Sequence, residues 1–172
     1  VSTIIQDKEF SYSQHDGVNY NETAVIPLDK NHLLAMARTD VTFHTEGESM
    51  IVGGIGEMTQ VESFDAGFSW TKPKPTGIFG QPPHLLRIDG SPIVLTYGYR
   101  KLPYGIRAVV SYDNGKTWDI DNPIIIRDDG LTWDIGYPSS VQIDENTVLT
   151  IYYFVDKNGT RFIGSTKWNL KK

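Results

Sequence analysis

Two short stretches set chemistry-bearing side chains at one spacing. Residues 63–70 read SFDAGFSW and residues 111–118 read SYDNGKTW, so Ser63, Asp65, Gly67 and Trp70 recur as Ser111, Asp113, Gly115 and Trp118, with Thr117 in the second copy where the first has Ser69. An aspartate there bonds its own backbone and a glycine accepts positive φ, which makes a tight turn. The tryptophan folds back as an apolar lid, so the stretch reads as a staple between repeated units. Its competing chemical reading is a calcium site using the oxygens of Asp113, Asn114 and Asp119, but the spacing is not that of an EF-hand loop. The chain has no cysteine, which excludes thiolate catalysis, disulfides and Cys-ligated zinc. Its histidines, His15, His32, His44 and His84, show no metal-ligand spacing; surface loops account for the first three. His84, in QPPHLL, is a ligand-contact candidate whose bland reading is a packed, satisfied imidazole. No cofactor is expected.

These residues sit in a chain of 172 residues with formal net charge −5, which argues against a nucleic-acid partner. No apolar run reaches the length of a membrane span, and the chain is expected to be soluble, of the secreted or periplasmic kind; the lack of cysteine fits either redox compartment. The sequence begins at Val1, as expected of a piece of a longer protein. Nine Pro, sixteen Gly, nine Tyr, seven Phe and four Trp favour strands and turns, and no segment has a 3.6-residue apolar period.

The apolar runs repeat. Residues 22–38 (ETAVIPLDKNHLLAMAR), 82–98 (PPHLLRIDGSPIVLTYG) and 137–153 (YPSSVQIDENTVLTIYY) align on Asp29, Asp89 and Asp144. Each predicts strand, tight turn, strand, and the second strands, LLAMA, IVLTY and VLTIY, are apolar on both faces, as for strands between layers. A third strand follows each pair, in GEMTQVES, GIRAVVS and TRFIGST. Units of four strands in about 50 residues have the period of a β-propeller blade. The expectation is one all-β, partial β-propeller domain over 1–172, with blades at about 10–75, 80–124 and 125–170.

The Ser-x-Asp-x-Gly-x-Thr-Trp stretches resemble the Asp-box, or bacterial neuraminidase repeat, of the sialidase superfamily, whose members are six-bladed propellers; other propellers carry the box too. NETAVIPLDKNHLLAMAR resembles the superfamily segment in which a Glu precedes a strand pair ending in Arg, here Glu22 and Arg38. GYPSSVQIDENTVLTIYY resembles the segment carrying the catalytic tyrosine, here Tyr137, and TYGYRKLPYGIRAVVSYDNGKTW the segment with a further substrate-binding arginine. Arg100 matches that arginine better and Arg107 is its rival. The resemblance spans the chain but corresponds to the C-terminal half of a sialidase. Independently of it, Glu22 and Tyr137 share one repeat position, each six residues before the hydrophobe, Leu28 or Ile143, that precedes the aligned aspartate.

The resemblance implies a sialidase-like, retaining glycoside hydrolase acting on an acidic sugar or sialoglycoconjugate. A sialic acid bears a carboxylate on its anomeric carbon, so a neutral phenol avoids the repulsion a carboxylate nucleophile would meet. Tyr137 would attack and Glu22 would take its proton; the guanidinium forks of Arg38 and Arg100 would bind the substrate carboxylate. Asp134, beside Trp133 at the expected pocket rim, would bind a sugar hydroxyl or stand in as an acid. Each residue also has a bland reading. Tyr137 packs in a turn; Glu22 lies on the surface, inside an Asn21-Glu22-Thr23 glycosylation triplet matched at Asn158; Arg38 makes an exposed salt bridge with Asp40. Arg100 stacks on Tyr97 or Tyr99, and Asp134 forms a turn. The superfamily's aspartate acid/base and first arginine come from N-terminal blades without a counterpart here. The expected partner is therefore the remaining propeller half in the same protein, or a second copy of this chain; the alternative function is a carbohydrate-binding or structural module without turnover.

Overall fold

A computed structural model describes residues 18–45, 48–53, 57–89 and 91–170. The expected start of the first blade at residue 10, His15 and the turn glycine Gly90 lie outside these residues. The described residues form an all-β structure of three antiparallel sheets. The chain divides into two compact units, residues 1–79 and 80–172. Among the described residues no helix is long and apolar enough to cross a membrane.

In the first unit, β1 (Val18–Pro27) pairs with β2 (Leu33–Thr45), which pairs with both β3 (Glu48–Gly53) and β4 (Thr59–Ser63); β5 (Lys74–Pro75) pairs with β4. This is a five-stranded sheet where four strands were expected. The difference is physical: β2 continues past Arg38 and doubles back on β3, with Asp40 opposite Gly53 and Thr45 opposite Glu48. The core is aliphatic and includes Leu34, Ala35, Met36 and Ala37 of β2, all buried, against Ile26, Met58 and Val61. Burial on both faces of this strand bears out its unbroken apolar run.

In the second unit, β6 (Pro83–Arg87), β7 (Ile93–Tyr99), β8 (Tyr104–Ser111) and β9 (Ile124–Gly130) form one four-stranded sheet in sequence order. A three-stranded sheet follows: β10 (Gly136–Gln142), β11 (Thr147–Val155) and β12 (Arg161–Asn169). β9 thus carries the second sheet beyond residue 124. The two sheets share a core that includes Val94, Ile106, Ala108 and Ile126 from one and Val148, Tyr152 and Phe154 from the other. β7 is buried on both faces, as its sequence predicts, but β11 is not: Val148, Thr150, Tyr152 and Phe154 are buried while Ile151 is 44% exposed. The outer face of β11 has no covering layer among the described residues, so its apolar run is one-sided in this chain.

The hairpins repeat atom for atom. Leu28 N donates to His32 O at 2.8 Å, Ile88 N to Pro92 O at 2.9 Å and Ile143 N to Thr147 O at 2.9 Å. The aspartates cap two of these turns: Asp29 Oδ1 accepts from Asn31 N and His32 N, and Asp144 Oδ1 from Asn146 N and Thr147 N. The 63–70 and 111–118 loops repeat as closely. Ser63 Oγ donates to Asp65 Oδ1 and accepts from Gly67 N, both at 2.8 Å, and Ser111, Asp113 and Gly115 do the same at 2.8 Å. Each aspartate also receives the backbone N–H and hydroxyl of Ser69 or Thr117. Those bonds, led by the hydroxyl of Ser69 or Thr117, hold both carboxyls down at about 2. Thr71 N then returns to Glu62 O at 2.8 Å and Asp119 N to Val110 O at 2.9 Å.

Ser111 is 1% exposed, and removing its hydroxyl deletes its buried bond from Gly115 N and its bond to Asp113. Ser111→Ala is expected to cost about 1–3 kcal/mol in denaturant unfolding, and Ser63→Ala a similar amount. A loss under a few tenths of a kcal/mol would show the loops to be dispensable.

Candidate functional site

The first unit brings Glu22, Arg38, Asp40 and Asn21 together. β1 and β2 run in register until Asn21 opposes Arg38; a bulge then intervenes and pairing resumes with Ala24 opposite Met36. Within that bulge Glu22 takes φ 42°, a left-handed backbone that a side chain-bearing residue adopts only when its surroundings fix it. Bulges re-aim side chains, and this one turns Glu22 toward Arg38 within β2. Arg38 Nη1 donates to Glu22 Oε2 at 2.6 Å and Arg38 Nε to Asp40 Oδ1 at 3.0 Å, while Asn21 Nδ2 donates to Asp40 Oδ2 at 2.9 Å. Burial alone pulls the Arg38 guanidinium down, but its bonds to Glu22 and Asp40 outweigh that and leave it raised. The Arg38–Asp40 pair is therefore not the exposed one expected: Asp40 is 5% exposed. Asn21 is committed to this network, and its Oδ1 is buried without a hydrogen-bond partner.

The third sheet repeats the device at Tyr137. Pairing of β10 with β11 breaks between Gly136, opposite Tyr153, and Ser139, opposite Ile151. Tyr137 sits in the break with φ 53° and is 52% exposed. The shared repeat position of Glu22 and Tyr137 is thus a shared backbone geometry. Both residues lie within strands, at bulges.

Arg100, at the end of β7's sheet, reaches the segment before Tyr137. Its Nε donates to Ile135 O at 3.0 Å, and its guanidinium lies 5.7 Å from the centre of the exposed Trp133 ring. The approach is close because both backbones carry glycine. A Cβ on Gly98 would stand 2.6 Å from Gln81 O and 2.7 Å from Gly136 Cα; one on Gly136 (φ 135°) would stand 3.6 Å from Arg100 Nη2. Arg107 does something else. It stacks on Tyr99, with 3.4 Å from its guanidinium carbon to the ring centre, and its Nε is buried without a hydrogen-bond partner. The stacking expected of Arg100 on Tyr97 or Tyr99 is thus made by Arg107, which faces Tyr97 across the β7–β8 ladder. Burial pushes the Tyr97 phenol up to about 12, with Arg107 opposing the rise.

Asp134 is held by two partners. Its Oδ2 accepts from Tyr153 Oη at 2.9 Å and from Arg161 Nη2 at 3.0 Å, and Arg161 Nε donates to Tyr153 Oη at 2.9 Å. Neither Tyr153 nor Arg161 was singled out from sequence. The repeat held the signal for one of them: Tyr153 ends its aligned segment where Arg38 ends the first. His84 is the packed imidazole of the bland reading. Its Nδ1 accepts from Ser140 N at 3.3 Å, across the two sheets of the second unit. Of the remaining histidines, His32 bonds Glu62 at 2.7 Å and stacks on Phe64, and His44 belongs to strand β2 where a loop was expected. Two surface hollows of this unit, one beside Tyr112 and Asp119 and one beside Asp89 and Asp144, include none of Arg100, Asp134 and Tyr137.

No protein-family model and no curated protein sequence matches the chain. Among solved structures it is similar to a protein of unknown function from Dyadobacter fermentans, with 32% identity over 91% of this chain and 40% of that one, at a TM-score of 0.75. The chain therefore spans about two fifths of that protein's length. Weaker likenesses are to an α-L-arabinofuranosidase from Clostridium thermocellum (12% identity, 92% of this chain and 58% of that one, TM-score 0.48) and to the catalytic domain of a Coprinopsis cinerea α-L-arabinofuranosidase (12%, 91% and 66%, TM-score 0.45). Likenesses of that strength assign no activity.

His84 gives a pH prediction. Burial lowers its pKa below 6.5, so the fold favours the neutral ring; its contribution is present above about 6.5 and is lost as pH falls through the lower folded value. Protonation also converts Nδ1 from acceptor to donor, facing the Ser140 N–H. Between about pH 7.5 and about pH 5.5 the wild type is expected to lose more in Tm than His84→Gln, which keeps an acceptor that does not titrate. Equal losses would contradict this.

Proposed function

We propose that the chain is part of a sialidase-like β-propeller glycoside hydrolase acting on a sugar that carries a carboxylate. Tyr137 is the nucleophile and Glu22 its base; Arg38 and Arg100 bind the carboxylate, and the 63–70 and 111–118 loops are Asp-boxes. The observation that carries this reading is the paired bulge. Two residues of one repeat position, a phenol and a carboxylate, are each held in a left-handed conformation; Glu22 is bonded to Arg38, and Tyr137 follows the segment that Arg100 bonds at Ile135. Such strain costs of order 1–3 kcal/mol per residue and is concentrated at functional sites. In the reaction, the Tyr137 oxygen forms a bond to the anomeric carbon as the bond to the leaving group breaks; the phenol proton passes to Glu22. Water then attacks the anomeric carbon and the glycosyl–tyrosine bond breaks, with retention; Tyr137 regains its proton from Glu22, and the proton that water loses neutralises the departed oxyanion.

One observation favours the alternative, a sugar-binding module without turnover. Asp134, the stand-in acid, already accepts from Arg161 and Tyr153, which stabilise a carboxylate rather than a proton donor.

A fluorogenic aryl sialoside separates these readings, because its leaving group departs with little help from an acid. Hydrolysis by the wild type is expected, lowered by about 10²–10⁴ in Glu22→Gln and abolished in Tyr137→Phe. An inert wild type that binds sialic acid, with loss in Arg38→Ala, would leave the binding module. No binding at all would overturn both.

A further inference from the structure

We infer that Tyr153 and Arg161 are positioning residues, forming with Asp134 a brace that fixes the segment leading into Tyr137. The inference rests on the reading of Tyr137 given above, and adds residues which that reading did not contain. A left-handed tyrosine persists only where its surroundings over-determine the backbone. On the Arg100 side, the segment is fixed by the bond from Arg100 Nε to Ile135 O and by the glycine-to-glycine approach of Gly98 and Gly136. On the other side, the side chain next to Ile135 in sequence, Asp134, is the acceptor of a closed triangle. Tyr153 Oη donates to it at 2.9 Å, Arg161 Nη2 donates to it at 3.0 Å, and Arg161 Nε donates to Tyr153 Oη at 2.9 Å.

The donor and acceptor roles in the triangle are consistent. Arg161 only donates, the carboxylate only accepts, and the phenol does one of each. Breaking any corner therefore loosens the other two. The strands deliver the corners: Tyr153 lies opposite Gly136 on the β10–β11 ladder, and Arg161 opens β12 opposite Val155. An isolated exposed ion pair such as Arg161–Asp134, with Arg161 64% exposed, would contribute little. The half-buried Tyr153 links the pair to β11.

The repeat supports the assignment. Arg38 lies within the second strand of the first sheet, opposite Asn21, and grips Glu22 directly. Tyr153 stands at the same repeat position, opposite Gly136, and grips Asp134. In both sheets the second-strand residue at this repeat position restrains the bulge of the first strand or the segment leading into it.

The test is amide hydrogen exchange on the intact chain, comparing wild type with Tyr153→Phe and Arg161→Met. Tyr153→Phe keeps the ring and removes only the hydroxyl. In both variants exchange is expected to rise several-fold at residues 131–138, with protection at 147–155 and the Tm nearly unchanged; Arg161→Lys, which keeps a donor for Asp134, is expected to recover part of the protection. Unchanged exchange at 131–138 would overturn the inference. So would an increase spread evenly over β11 and β12, which would mark a general stability role. Aryl sialoside turnover is read on the same samples, where a positioning role lowers kcat more than it alters KM. If the wild type turns over no sialoside, the functional reading fails while the exchange pattern still decides the brace.

Discussion

A line of buried hydroxyls joins the two sheets of the second unit, and the meeting of Arg100 with the segment before Tyr137 depends on it. Trp168 Nε1 donates to Thr150 Oγ1 at 2.9 Å; Thr150 meets Ser140 Oγ at 2.9 Å, and Ser140 meets Thr96 Oγ1 at 3.0 Å. Thr96 Oγ1 in turn lies 3.4 Å from His84 O. The indole can only donate and the carbonyl can only accept, so every hydroxyl between them is oriented in one sense. A slide of β10 along β7 would break the Ser140–Thr96 link, the one member of the line that crosses between the sheets, at about 1–3 kcal/mol for a hydroxyl left unpaired in the core. The aliphatic contacts around them are tolerant of small shifts; the hydroxyl line is not. It thereby fixes the offset at which Gly136 meets Gly98 and Arg100 reaches Ile135.

Much of this architecture was legible in the sequence because it is written in short-range terms. The aspartate turns at Asp29 and Asp144 and the Ser-x-Asp-x-Gly loops are local hydrogen-bond circuits, and residue types alone specify them. The shared position of Glu22 and Tyr137 was legible as well, but its consequence was not. A bulge is a two-strand property, and nothing in NETAV or GYPSS states that pairing will skip there. The extra β2–β3 hairpin lies outside the repeat, which passes from LLAMAR straight to GEMTQVES, although TDVTFHT and ESMIVG are β-rich in their own right.

Side-chain partnerships were the least legible layer. Arg127 illustrates why. It stacks 4.0 Å from the Phe154 ring centre while Asp129 takes two of its hydrogen bonds, a pairing that depends on β9 lying against the third sheet. Arg107 and Arg100 look interchangeable in YRKLPYGIR, yet one is tied up on Tyr99 and the other bonds the Ile135 carbonyl. Tyr153 reads from sequence as one more aromatic of a buried strand. Only the alternation of β11, buried at Tyr152 and open at Ile151, turns it toward Asp134.

A covalent trap tests the proposed nucleophile, Tyr137, most directly. A sialosyl fluoride with a second fluorine beside the anomeric carbon carries a leaving group that needs no acid, so it interrogates nucleophile, base and arginines alone. After incubation and peptide mapping, the account predicts one sialosyl adduct, on the peptide containing Tyr137, and none in Tyr137→Phe. An adduct on any other side chain, or none while the same sugar demonstrably binds, would contradict it.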